Sequence, residues 1–254
     1  MPGLRLPIEI CELVIDNLDD DKEPAAFHLA LRACCLACKT FLPATRRRLF
    51  YHVNLTCREV AERFLDIICS LPSSTSPCWY VRKLSISDYN IEWISNLKAL
   101  PGLAERLLDV TQLEFELGWD LLDDVDRRAI LSGFLKVGKV KMAHGCQCFG
   151  TLEQMNQLIA SFPSLVDLDC SLAGWRADDG GPLTDALPQG LKSIVLDSFH
   201  SPYFHRILSQ HGSHSVRALE FYEMDGDDME MLANFSRHSV RASKNSVSVV
   251  FILP

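Results

Sequence analysis

The residues best suited to metal chemistry form one compact motif, His144-Gly145-Cys146-Gln147-Cys148, which offers an imidazole and two thiols. Structural metal sites usually draw such ligands from a pair separated by two to four residues, together with a second pair elsewhere in the chain. The spacing here is tighter than that, and no second pair lies nearby in the sequence. The motif therefore does not predict a metal site.

Two other patterns suggest redox and calcium chemistry. Cys35-x-x-Cys38 has the spacing of a thiol–disulfide pair, but the sequence places it in mid-helix instead of at a helix start after a strand. Asp225-x-Asp227-Asp228 resembles part of a calcium loop, yet Ser236 stands where the closing glutamate belongs. Capping of a helix by these acids fits better. No Ser-His-Asp or paired-carboxylate motif stands out, so we expect no enzymatic activity and no cofactor.

Composition excludes further classes of function. The chain has 254 residues, 48% hydrophobic and 23% charged, with a net charge of −8. Nucleic-acid binding needs clustered Lys and Arg, and the cluster Arg46-Arg47-Arg48 is too short to supply them. No apolar run approaches the roughly 20 residues of a membrane span, and the N-terminus lacks a signal-peptide pattern. Ten cysteines fit buried thiols in a reducing compartment, which predicts a cytoplasmic or nuclear protein.

Residues 1–50 have the pattern of three helices. Pro7 suits a first helical position, and apolar residues then recur at helical spacing: Ile10, Leu13, Val14 and Leu18. The acidic stretch 19–24 breaks this helix. A second helix is expected from about residue 25 to Phe41, and a third, short segment from Pro43 to near Phe50.

An apolar-x-x-apolar-x-apolar pattern recurs in the rest of the chain. It begins at residues 81, 110, 137, 165, 191 and 216, with one further match before these (Phe50) and one after (Val247). Between these runs the apolar period becomes helical. A strand and a helix every 25 to 29 residues is the period of leucine-rich repeats, which predicts an α/β solenoid with a parallel sheet inside and helices outside. The alternative is a doubly wound α/β domain with coincidental spacing.

The C-terminal segment is expected to be one more strand of this array. No helix and no polar cap follow Val247–Leu253. Repeat arrays need capped ends, which favours a chain truncated at this end.

The first fifty residues resemble an F-box, which opens with L-P-x-E-(I/L) followed by an apolar helix. The matching residues are Leu6-Pro7-Ile8-Glu9-Ile10, and the later V-C-(K/R)-x-W motif corresponds to Ala37-Cys38-Lys39-Thr40-Phe41. Residues 41–50 resemble the tail of F-box-like proteins of mushroom-forming fungi, in which a leucine-rich-repeat-like region follows. Ala37 and Phe41 replace the larger Val and Trp and bury less area, so weaker docking is expected.

The resemblance implies an F-box domain at 1–50 that binds the Skp-type linker protein of a cullin–RING ubiquitin ligase, followed by a solenoid at 51–254 that binds a protein substrate. The linker would bind apolar residues in a helix-in-groove interface. The residues expected there are Leu6, Pro7, Ile10, Val14, Leu31, Cys34, Cys38 and Phe41. Alternatively, several of them only pack the helices together. The alternative for the whole chain is a leucine-rich-repeat scaffold with a degenerate F-box and no ubiquitin role.

Strand side chains alternate, so those between the inward apolar positions are expected on the concave face of the solenoid. Solenoids bind extended protein partners on such a face. The candidate substrate-binding residues are Lys83, Ser85, Gln112, Glu114, Glu116, Lys141, Asp167, Asp169, Glu220 and Tyr222. The alternative is a solvated polar face without a partner.

Overall fold

The computed structural model of the chain describes most of its N-terminal half and selected segments beyond it. The described residues are 7–18, 24–72, 76–87, 100–116, 122, 124–142, 149–170, 175–177, 187–197, 216–222, 240–242 and 249–252. Leu6, the motif His144–Cys148 and the pattern Asp225–Asp228 lie outside them. Within these ranges, no helix combines the length and the apolar character that crossing a bilayer requires.

Three helices form the N-terminal unit. They are α1 (Ile8–Asp16), α2 (Pro24–Ala37) and α3 (Leu42–Leu49), with a 3-10 turn at Lys39–Phe41 between α2 and α3. The second helix is shorter than the sequence predicts. It ends at Ala37 because Cys38 is extended, with φ −156°, and its Sγ accepts the backbone N–H of Thr40. Cys38 therefore caps the turn instead of lying in mid-helix.

A small apolar core joins the three helices. Its buried members are Ile15, Phe27, Leu31 and Ala44, and its half-buried members are Leu18, Cys34, Phe41 and Leu49. Two ion pairs connect α1 to α3 at the surface. Arg47 Nη2 lies 3.2 Å from Glu12 Oε1, and Arg48 Nε lies 3.9 Å from Asp16 Oδ1.

A nine-stranded sheet follows, in the order β1-β2-β3-β4-β6-β8-β9-β11-β10. Its strands are β1 His52–Leu55, β2 Lys83–Ser87, β3 Gln112–Glu116, β4 Lys139–Met142, β6 Asp167–Cys170, β8 Ser193–Asp197, β9 Ala218–Tyr222, β10 Val240–Ala242 and β11 Val249–Ile252. From β1 to β9 in this order every pair is parallel. The predicted α/β class with a parallel sheet is therefore confirmed. A separate parallel pair consists of β5 (Phe149–Thr151) and β7 (Trp175–Ala177).

The C-terminal strand departs from the predicted pattern. Residues from Val247 were expected to add one more parallel strand, but β11 pairs antiparallel with both β9 and β10. A parallel crossover needs a dozen or more residues, and residues 243–248 are too few to form one between β10 and β11. A reversal between these two strands is the connection that such a short segment permits.

The inward apolar positions form continuous rows across the sheet. Leu84, Leu113, Val140, Leu168 and Ile194 stand in register on neighbouring strands, and each is at most 1% exposed. One core cluster combines this row with apolar residues of the helices that connect the strands. These helices are α4 (Arg58–Ser70), α5 (Leu100–Arg106), α6 (Asp124–Gly133) and α7 (Leu152–Ala160).

A repeated hydrogen-bond pattern joins successive strands just before their first residues. One carbonyl in each unit accepts two consecutive backbone N–H groups of the next unit, at 2.8–3.1 Å. We call these six acceptors the carbonyl rail. They belong to Tyr51, Arg82, Thr111, Gly138, Val166 and Lys192. The same local geometry thus recurs in every step from β1 to β9.

The two cores meet without a spacer. Leu49 packs against the core of the three helices, whereas Phe50 packs against the core of the sheet. The next residue, Tyr51, provides the first carbonyl of the rail. Three consecutive residues therefore connect the helical unit to the sheet.

Candidate functional site

Helix α1 carries apolar side chains both inside and outside. Cys11 and Ile15 are buried on its inner side. Ile10, Leu13 and Val14, at helical spacings of three and four residues, are 44%, 58% and 43% exposed. We call these three residues the α1 apolar surface.

Helix α2 repeats this arrangement. Phe27, Leu31 and Cys34 lie toward the core of the three helices. Leu29 and Leu36 are seven residues apart, which places them on one side of the helix, and they are 71% and 88% exposed. Helices α1 and α2 thus both carry large apolar side chains that are exposed.

The structure divides the described members of the predicted linker-binding set into three groups. Pro7, Ile10 and Val14 are exposed. Leu31 is fully buried, so it is a core residue instead of a surface contact. The other three are half-buried: Cys34, Cys38 and Phe41.

The predicted linker-binding residues omit four exposed apolar residues of the same helices: Ile8, Leu13, Leu29 and Leu36. The signal that could have identified the α2 pair is its seven-residue spacing, on the side opposite Phe27 and Leu31. The apolar pattern of α2 does not reveal which side faces inward, because both sides carry large apolar residues.

The second candidate surface is the side of the sheet that faces away from the apolar core. Register places Ser85, Glu114, Lys141 and Asp169 in one row across β2, β3, β4 and β6. Gln112, Glu116, Asp167 and Glu220 are half-buried on the same face. We call this side the polar sheet face. Tyr222 pairs with Asp197 through the backbone, and its side chain lies outside the described part.

Glu114 is the centre of a hydrogen-bonded network on the polar sheet face. Its Oε2 accepts from Ser85 Oγ at 2.9 Å and lies 2.9 Å from Lys83 Nζ. Its Oε1 lies 3.8 Å from Lys141 Nζ. His52 Nε2 lies 2.8 Å from Ser85 Oγ. Since the Ser85 proton is directed to Glu114, the His52 ring donates in the remaining bond.

These contacts and burial shift the pKa values of Glu114 and His52. Burial alone would raise the pKa of Glu114, but hydrogen bonds from Lys83 and Ser85 and the charges of Lys83 and Lys141 outweigh it and lower the pKa. Burial lowers the pKa of His52, and the charge of Lys83 lowers it further, against the opposing effect of Glu114. At neutral pH the network therefore holds an ionised Glu114 beside a neutral His52.

This network differs from that of a serine nucleophile. In a catalytic triad the histidine accepts the serine proton, whereas Ser85 donates to a carboxylate and is only 6% exposed. Among the described residues, no group of three or more His, Cys, Asp or Glu side chains is placed to hold a metal ion. The arrangement is that of cross-strand charge pairs, which stabilise neighbouring strands.

Comparison of the chain with protein-family models, with curated proteins and with solved structures found no match. The fold and the two surfaces define a mixed α/β protein in which an N-terminal three-helix unit precedes a parallel sheet. The F-box resemblance rests on the motifs of residues 6–10 and 37–41 and stays a prediction.

Proposed function

We propose that this protein is a substrate-recognition adaptor of a cullin–RING (SCF-type) ubiquitin ligase. Residues 1–50 act as an F-box that binds the Skp-type linker, and residues 51–254 form a leucine-rich-repeat-like solenoid that binds a protein substrate. The observation that carries the proposal is the α1 apolar surface. Burying a large apolar side chain contributes about 1.5–3 kcal/mol. Burial of these three residues against a partner helix would therefore contribute favourably to the free energy of binding.

The position of this surface in the sequence supports the proposal. Ile10 ends the F-box-like opening motif, and Leu13 and Val14 continue the helix that follows the motif in the family. Residues Lys39–Phe41 of the second motif form the 3-10 turn that packs against α1. Both halves of the sequence resemblance therefore meet in one three-helix unit.

The regular recurrence of one backbone hydrogen-bond pattern supports the proposed solenoid. The carbonyl rail recurs at steps of 25 to 31 residues, from Tyr51 to Lys192 and on to its last donor pair at Arg217 and Ala218. The apolar rows recur with it, and the polar residues lie on the opposite side of the strands. Such repetition is typical of solenoids, in which each unit contacts its neighbours.

The test is binding of the purified Skp-type linker to the full-length chain and to the variant Leu13→Asp. We expect the variant to bind at least about tenfold more weakly, because a charge would have to enter an apolar groove. Leu135→Asp is the matched control, since Leu135, in the sheet region, is 57% exposed, close to the 58% of Leu13. Absence of linker binding by the wild type, or equal loss in both variants, would overturn the proposal.

A second candidate function is a leucine-rich-repeat scaffold without a ubiquitin role. The burial of Leu31 and the half-buried positions of Cys34 and Phe41 favour it, because these residues are engaged in packing the helices. A scaffold should retain its protein partners when Leu13 is changed to Asp and lose them when Glu114 is changed to Lys. Affinity purification of both variants with mass spectrometry separates the two functions.

A further inference from the structure

A four-residue turn recurs where the strands of the sheet begin. In each turn the carbonyl of the first residue accepts the backbone N–H of the fourth residue at 3.0–3.4 Å. A residue of the carbonyl rail follows each turn directly, so neighbouring turns are held side by side in one orientation. The turns are 78–81, 107–110, 134–137, 162–165 and 188–191.

The second residue of the first four turns is apolar and exposed. Trp79, Leu108 and Leu135 are 49%, 55% and 57% exposed, and Pro163 is exposed as well. We call these four residues the turn ridge. Since neighbouring strands lie about 4.8 Å apart, the side chains of the turn ridge follow one another at this step. Gln189 takes the same position in the fifth turn and ends the ridge.

The charges beside the turn ridge have a positive excess. Its four turns and the rail residues that follow them contain three charged side chains, Arg82, Asp109 and Lys136. Asp109 Oδ1 lies 2.6 Å from Lys136 Nζ, and Asp109 Oδ2 lies 3.8 Å from Arg82 Nη1. The two cations thus share one carboxylate, and their side chains are 63% and 38% exposed for Lys136 and Arg82. A partner segment with acidic residues is therefore complementary to the ridge.

Helix α1 has this complementary character. It contains Glu9, Glu12 and Asp16 and no basic residue. The residues of the α1 apolar surface are three and four positions apart, which is about 4.5–6 Å along the helix axis. This spacing includes the step of about 4.8 Å between neighbouring turns, whereas same-side residues of an extended strand repeat at about 6.8 Å. The ridge therefore fits an acidic helix with exposed apolar residues better than an extended segment.

We propose that the turn ridge binds α1 of a second copy of this chain, in a dimer in which each copy places its α1 on the ridge of the other. The available area favours this reciprocal arrangement. A half-exposed large side chain offers on the order of 100 Å², so one contact would bury only about 300–400 Å² per copy, against roughly 800 Å² per partner in a specific interface. A second, symmetric contact doubles the area. The dimer is independent of the proposed function, although the linker and the second copy would compete for the α1 apolar surface.

The test is sedimentation velocity of the full-length chain at concentrations from about 1 to 100 μM, because interfaces of this area reach micromolar affinity. We expect the wild type to shift from monomer to dimer. Leu13→Asp and Leu135→Asp should each weaken dimerisation at least about tenfold, because a charge would enter an apolar contact. Leu29→Asp is the control: Leu29 is an exposed apolar residue of α2 outside the contact, and its variant should dimerise like the wild type.

An equimolar mixture of the two weakened variants separates a reciprocal contact from other pairings. The Leu135→Asp copy offers an intact α1, and the Leu13→Asp copy offers an intact ridge. The mixture should therefore form heterodimers through one contact, more tightly than either variant alone and more weakly than the wild type. Because a misfolded variant could not complement its partner, heterodimer formation also shows that both variants are folded, and circular dichroism checks this independently.

Several results would overturn the inference. They are a wild type that stays monomeric over the whole range, dimerisation of Leu135→Asp equal to that of the wild type, and a mixture without heterodimers. Dimers of Leu135→Asp alone would indicate pairing of α1 with α1, and masses that grow beyond the dimer would indicate open chains. Linker binding is measured separately on dilute monomer, so its absence refutes the proposed function and leaves the dimer unaffected.

Discussion

Replacing Gly133 with alanine should destabilise the protein, although it removes a glycine from a helix. Gly133 ends α6 where this helix meets α5. A Cβ built on Gly133 would collide with the Cβ of Ala104 and would lie 3.1 Å from its Cα and 3.3 Å from its carbonyl carbon. These are backbone or near-backbone atoms of a residue that is only 2% exposed. Relief therefore requires the two helices to move apart.

Two opposing effects set the size of this change. Alanine is favoured over glycine within a helix by about 1 kcal/mol, and less at a helix end. Overpacking costs typically about 1–3 kcal/mol, and the rigidity of the Ala104 backbone places this case near the upper end. We therefore expect the free energy of unfolding to fall by about 1–2 kcal/mol.

Gly102→Ala is the matched control for Gly133→Ala. Gly102 lies in α5, and a Cβ there would meet Leu65 Cδ1 at 3.8 Å, an ordinary contact. This variant should be neutral or more stable by up to about 1 kcal/mol. Urea unfolding followed by circular dichroism measures both variants. Adding Ala104→Gly to Gly133→Ala should recover part of the lost stability, because it removes the colliding Cβ but places a glycine inside α5. Equal stability of the two alanine variants would refute the close approach of α5 and α6.

Two further predictions concern packing and pH. Leu31→Ala should cost about 2–5 kcal/mol in urea unfolding, whereas its exposed neighbour Leu29→Ala should stay within about 0.5 kcal/mol; similar losses would contradict the assignment of Leu31 to the core. The hydrogen bond from Lys136 lowers the pKa of Asp109 below its ordinary value of 3.8. The Lys136–Asp109 pair therefore stabilises the fold at pH values above 3.8, and this stabilisation is lost as the pH falls through the pKa of Asp109 in the folded protein. Lys136→Met should lower stability at pH 7 by no more than about 1 kcal/mol, with the difference disappearing in acid, and a loss that persists there would point to packing instead.

The sheet could be predicted from the sequence more fully than the helical surfaces. Alternation has a fixed period of two, so an apolar-x-apolar run such as Leu84 and Ile86 commits one side of the strand to the core. The sequence of helix α2 does not show which side is buried, because Leu29 and Leu31 are both apolar. Only packing in the folded protein determines that Leu31 is buried and Leu29 is exposed. The network around Glu114 depends on which residues stand side by side in register, and spacing along one strand does not specify that.

The direct succession of Leu49, Phe50 and Tyr51 has a consequence for engineering the chain. Because neighbouring side chains belong to different cores, a fusion point at this position would remove an apolar anchor from one of them. A graft of the helical unit onto another repeat protein should carry Phe50 and Tyr51 with it. The recipient's first strand then keeps an apolar anchor, and its second strand keeps the carbonyl that accepts its backbone N–H groups. A flexible insertion after Leu49 would turn a mechanically continuous junction into a tether, and the two units could then unfold in separate transitions.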